Sequence, residues 1–182
     1  NGLINHPNPI SDEIHQGRIL AVRRAQAGKV GGDSSLTIDE RMPYLKALME
    51  DGGATLEDLI WASSTIARLH LAAGNPTDAA IGLHRYIRRL ESRGAPASAE
   101  LLVLLGRANR DQGHFDVAFR PLQYSLDLAS PQDPIRAEAM VMLGDLASRG
   151  GDLELAKRWY ERSIEEFPSS SSVLAALTGR GR

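Results

Sequence analysis

The chain has 182 residues, 42% of them apolar and 24% charged, with a formal net charge of −2; this fits one folded domain or one short helical array and excludes an intrinsically disordered chain. Charges of both signs are interspersed, with no basic tail or acidic block, and aromatics make up 5%, so neither nucleic acid nor an anionic lipid surface has an electrostatic or stacking footprint. The absence of cysteine removes disulfides and thiolate metal sites and leaves the compartment open between cytoplasm and periplasm.

No apolar run exceeds the length of Leu101 to Leu105, far below the roughly 20 residues that span a bilayer, so a soluble chain without a membrane span is expected. The sequence begins at Asn1 without a charged-then-apolar leader, which reads as a removed leader or a piece of a longer protein. Sustained two-residue alternation is missing while helical spacing recurs after Ser11, so the predicted class is all-α.

In chain order, Asn1 to Ile10 reads as an extended arm, and Ser11 to about Gly28 as a helix with Ile14, Ile19, Val22 and Ala25 inward. Lys29 to Ser35 is a predicted loop. Thr37 with Glu40 makes a capping box for a short helix carrying Tyr44, Leu45, Leu48 and Met49, which ends at Gly52-Gly53 and holds Pro43 in its first turn or at a kink. Thr55 then caps a helix to about Ala73, and after Gly74-Asn75-Pro76 a second runs from about Thr77 to Arg93. Ala97 to Gln112 and Asp116 to Ala129 form the next pair. Asp133-Pro134 opens a helix to about Arg149, and Asp152 to Phe167 follows Gly150-Gly151.

The last two pairs repeat the same letters: Leu105-Gly106 and Leu143-Gly144, Gly113 and Gly151, Ala118 and Ala156, Ser125 and Ser163. Gly106 and Gly144 stand 38 residues apart, a 34-residue period lengthened by Ser130 to Asp133. Glycine on one helix and alanine on the facing one allow close approach, and a lone pair cannot bury its own apolar face, so neighbouring pairs must stack.

This order of small and large positions resembles the tetratricopeptide repeat (TPR). The unit Ala137 to Ser170 supplies Met140, Leu143, Gly144, Ala147, Ala156, Tyr160, Ser163 and Pro168 at the family's signature offsets. The unit from Ala99 to about Gln132 supplies Leu102, Leu105, Gly106, Ala118, Leu122 and Ser125, with Asn109 departing from the pattern. A degenerate unit from about Ile60 to Arg93 supplies Ile66, Ala67, Gly74, Ala79 and Leu83, and Val173 to Leu177 starts a partial unit, 171–178. Residues 1–54, the arm and two helices, fall outside the resemblance, and 55–182 carry it.

The resemblance implies a right-handed all-α solenoid of antiparallel helix pairs that binds a protein or peptide partner in a concave groove, needs no cofactor and catalyses nothing. Carried over by position, the groove is lined by Trp61, Ser64, Arg68 and Leu71, then Glu100, Val103, Arg107, Arg110 and Asp111, then Glu138, Val141, Asp145, Ser148 and Arg149. Arg68, Arg107 and Arg110 would hold a carboxylate or an acidic segment; the alternative is that they pair with Glu100, Asp111 and Asp145. The Lys and Asn carboxylate clamp of chaperone-binding members is replaced by Ser64, Arg68 and Leu104.

Little else in the sequence carries chemistry. His6, His15, His70, His84 and His114 lack metal-site spacing. The Gly32 to Leu36 block lacks the preceding strand and late Asp-x-x-His of an esterase, and Gly28 to Gly32 has the wrong order for a phosphate loop. Arg85, Arg88 and Arg89 share one side of a helix, as a solvated convex face or an anionic-partner patch. The expectation is therefore a protein–protein interaction scaffold. Its alternatives are the repeat or regulatory part of a larger enzyme, regulator or envelope assembly factor, and a structural protein that self-associates through its solenoid ends.

Overall fold

The computed structural model describes residues 9–171, 173 and 174; the proposed arm over residues 1–8 lies outside them. Among the described residues eight helices follow one another: α1 (Pro9–Gly32), α2 (Ile38–Glu50), α3 (Leu56–Ala72), α4 (Pro76–Glu91), α5 (Ala99–Asp111), α6 (Phe115–Leu128), α7 (Ile135–Arg149) and α8 (Leu153–Glu166). No strand occurs among the described residues, and the class is all-α. Contacts divide the chain into two compact units, Asn1–Ile66 and Ala67–Arg182, with the boundary inside α3.

In the first unit α1 packs against α2. The helix begins at Pro9, whose missing N–H costs nothing in a first turn, so Pro9 and Ile10 belong to α1 and not to an arm. It also runs on through Lys29–Gly32, where a loop was expected. Glycine weakens a helix interior, but a Cβ on Gly31 would stand 3.3 Å from the Trp61 ring, so glycine permits a close approach to α3. The inward face also differs from expectation. Ile14 and Val22 are 53% and 55% exposed, Ala25 is exposed, and Ala27 is buried. Polar anchors turn the helix: Arg23 reaches Asp51 at 2.6 Å, and Arg24 forks onto Asp58.

The Thr37 capping box is present: Glu40 N–H donates to Thr37 Oγ1 (3.3 Å) and Thr37 N–H donates to Glu40 Oε2 (2.8 Å). Helix α2 continues through Pro43 to Glu50 and buries Leu45, Leu48 and Met49. Tyr44 is 42% exposed and takes no part in that core. Buried Arg41 closes the preceding loop by donating from Nε to the Leu36 carbonyl (3.0 Å). Thr55 and Asp58 form a second reciprocal cap at the start of α3.

In the second unit α5 pairs with α6 and α7 with α8, while α4 packs on α5, α6 on α7, and α5 lies beside α7. The close approaches lie where the repeat places them. A Cβ on Gly106 would meet Leu122 Cγ at 2.5 Å, and one on Gly144 would meet the Tyr160 ring at 2.7 Å. Ala118, Leu122, Met140 and Leu143 are fully buried, as are Ala79 and Leu83 in the degenerate unit.

The turn inside each pair is built identically. The N–H groups of Asn75, His114 and Asp152 donate to the carbonyls of His70, Asn109 and Ala147, at 2.8 to 3.0 Å. The preceding Gly74, Gly113 and Gly151 have φ of 73°, 80° and 83°, a conformation that glycine adopts without steric penalty. Arg136 ties elements together between pairs: its Nη1 donates to the Leu126 carbonyl (2.7 Å) at the end of α6, and Nη2 reaches Glu166 of α8 (3.4 Å). Val173 is 1% exposed and Leu174 N–H donates to the Ser170 carbonyl, so apolar packing continues past α8. Ala175 to Leu177 lie outside the described residues.

Candidate partner-binding face

Residues three and four apart share one side of a helix, and that spacing lines up Arg107, Arg110 and Asp111 on α5 and Val141, Asp145 and Arg149 on α7. Because α5 and α7 adjoin, the two rows meet. Arg68 Nη2 lies 3.2 Å from Glu100 Oε1, Arg110 Nη2 lies 2.9 Å from Asp111 Oδ1, and Arg110 Nη1 lies 3.9 Å from Asp145 Oδ2. Asp145 Oδ1 accepts the Tyr160 hydroxyl hydrogen at 2.6 Å, which fixes its carboxylate at the helix pair. The arginines thus meet Glu100, Asp111 and Asp145, the alternative to an empty cationic groove. These pairs remain solvated, with side chains 24% to 51% exposed. Arg107 Nε is buried without a hydrogen-bond partner, 3.8 Å from Asp111 Oδ2.

Within the first unit, Arg24 of α1 bonds Asp58 of α3, 34 residues further along the chain. Hydrogen bonding from Arg24, helped by the Thr55 cap, holds the Asp58 carboxyl down to about 2. Residues 1–54 lack the signature letters, yet α1 and α2 pair as a helical hairpin.

Two predicted groove residues are not available. Val103 is 1% exposed and belongs to the core cluster of Met140 and Leu143, because α7 packs beside α5 and covers it. Ser64 is 4% exposed, with its hydroxyl donating to the Trp61 carbonyl (3.0 Å). Trp61 stays 38% exposed; its ring lies against Gly31 and walls a cavity of about 260 Å³ with Leu48 and the Arg24–Asp58 pair. Val141 is half-buried.

Arg149 is exposed, its guanidinium 5.3 Å from the centroid of Phe115, within cation–π range. With Phe115, Phe119 and Leu146 it lines a cavity of about 690 Å³ in the second unit. Phe115 and Phe119 escaped the sequence reading, although two of only three phenylalanines standing one turn apart at the start of a second helix were a usable signal. Among the described residues no three His, Asp or Glu side chains converge as a metal site, and no helix is long and apolar enough to cross a membrane.

These helix pairs, their shared turn and the small-residue contacts define a TPR-like all-α helical-repeat fold. No family model and no curated protein matches the chain. Two crystal structures of MamA, a TPR-like helical protein, are similar to it. One shares 22% identity over 91% of this chain and 84% of that one, with a TM-score of 0.64; the other shares 23% over 79% of each, with a TM-score of 0.57. At such identity the likeness establishes the fold.

Proposed function

We propose that the chain is a non-catalytic protein-interaction module whose α5–α7 face receives a peptide segment or a partner subunit. The observation that carries this reading is the exposed set of charges formed by Arg68, Glu100, Arg107, Arg110, Asp111 and Asp145. Exposed ion pairs contribute about 0 to 1 kcal/mol each, so a partner's carboxylate or guanidinium can replace the internal one at small net cost. Arginine forks supply bidentate orientation. The neighbouring Phe115, Phe119 and Leu146 surface beside Arg149 offers an apolar anchor, which is where binding energy concentrates. Trp61, in the first unit, is a further candidate contact.

The test is a quantitative pull-down from native lysate with the wild-type chain and an Arg68→Glu, Arg107→Glu, Arg110→Glu variant matched in melting temperature. A partner retained by the first and lost by the second is the expected result. Equal capture profiles overturn the assignment of this face.

A further inference from the structure

Asn109 breaks the repeat. Its carbonyl accepts the terminal turn hydrogen bond, as Ala147 does in the next pair, so the two side chains occupy equivalent positions, one a carboxamide and one a methyl. Asn109 is 4% exposed, and its Nδ2 has no hydrogen-bond partner. A buried amide left unpaired destabilises the fold, and nothing in the packing of α5 on α6 calls for one.

The side chain does face space. Asn109 lines a cavity of about 400 Å³ between α4, α5 and α6, together with His84, Leu105, Asp116, Val117 and Arg120. His84, Val117 and Arg120 are exposed, so a buried donor stands behind an accessible mouth. Arg120 has no acidic partner among the described residues, and neither does Arg85, which follows His84 on α4. Asp116 is the opposing charge. Leu105 and Val117 supply an apolar wall, with Val117 49% exposed.

We propose that this cavity is a second recognition site, which takes a peptide carboxylate flanked by an apolar side chain. The carboxylate accepts from Asn109 Nδ2 and pairs with Arg120, while the apolar neighbour packs on Val117. Charge-assisted bonds are the strong ones, and a buried amide waiting for an acceptor discriminates sharply against a ligand that lacks one. The apolar wall favours a peptide over a bare phosphate. The site uses none of the charges of the α5–α7 face, so the two readings stand or fall separately.

The experiment follows the Asn109 side-chain amide and the Arg120 resonances of the full chain by NMR during titration with four probes. These are N-acetyl-Leu-Glu-amide, N-acetyl-Gly-Leu with a free terminal carboxylate, N-acetyl-Leu-Gln-amide and inorganic phosphate. Saturable shifts are expected with one or both carboxylate peptides, and which one responds identifies a side-chain or a terminal carboxylate. The glutamine peptide should bind at least roughly tenfold more weakly. Arg120→Gln, an exposed change that leaves the fold intact, should abolish saturation, whereas the triple glutamate variant of the α5–α7 face should retain it. Equal response to the glutamate and glutamine peptides, no saturable shift, or preference for phosphate overturns the proposal.

Discussion

Replacing Gly144 by alanine tests the packing of the last helix pair, because two effects of opposite sign compete there. Alanine in a helix interior gains about 0.5–1 kcal/mol over glycine. Against this, the new methyl would stand 2.7 Å from Tyr160 Cε1 and 2.9 Å from Cδ1, closer than carbon atoms tolerate. The ring is not free to retreat, since its hydroxyl is bonded to Asp145 at 2.6 Å. Overpacking of this kind costs about 1–3 kcal/mol, and a contact this short on a tethered ring takes the upper half of that range, so the variant should lose about 1–2.5 kcal/mol, or roughly 2–10 °C in melting temperature for a chain of this size. Trp159, half-buried against the core of the second unit, reports unfolding by fluorescence in a Trp61→Phe background. In a Tyr160→Ala background that still unfolds cooperatively, the same glycine replacement should stabilise, and the sign reversal is the coupling. A Gly144→Ala protein that melts higher than its parent in both backgrounds refutes the close approach.

Arg136→Met should remove the bond to the Leu126 carbonyl and the contact with Glu166 while keeping the aliphatic stem, at a cost of about 1.5–3 kcal/mol by urea denaturation. Asn109→Leu, which replaces an unpaired buried donor by an apolar group of similar size, should raise stability by about 1 kcal/mol while abolishing the peptide titration; a drop instead would mean that the amide is satisfied in the folded protein. The Asp58 carboxyl has its folded pKa lowered to about 2 from 3.8, so the unfolded chain binds the proton more readily and stability rises with pH through this range. That contribution is full above about pH 4 and lost toward pH 2, and a screened pair of this kind is worth up to about 1 kcal/mol. Urea midpoints of wild type and Asp58→Asn should therefore differ at pH 6 and converge near pH 2.

The repeat pairs were legible because their determinants are steric. Glycine opposite Leu122 or Tyr160 and a positive-φ glycine in each turn leave letters that survive in a single sequence. The role of α1 was not, because its packed side rests on Ala27, Gly31 and two arginines that reach Asp51 and Asp58. A search for inward apolar residues finds Ile14 and Val22 instead, and these face solvent. Groove positions transferred from the family include Arg107 and Arg110, which lie partly exposed beside Asp111 and Asp145, and also Val103, which is buried, since the depth to which α7 covers its neighbour depends on the facing side chains and not on position alone. The partners of the arginines could be named in advance because Glu100, Asp111 and Asp145 fall one turn or one period away. Phe115 and Phe119 were missed because the family pattern directs attention to first helices.

The turns within pairs have a consequence for how the chain tolerates change in length. Residues 73–75, 112–114 and 150–152 bridge their helices with one hydrogen-bonded geometry, in which each glycine and the following N–H are already committed. An inserted residue there would break a bond and rotate the second helix off its partner. The links between pairs, 92–98 and 129–134, follow no shared geometry, and the second already absorbs Ser130 to Asp133. A helix pair together with its turn is therefore a unit of fixed length, and a tag or a cleavage site belongs in 130–133, where added length falls outside those turns.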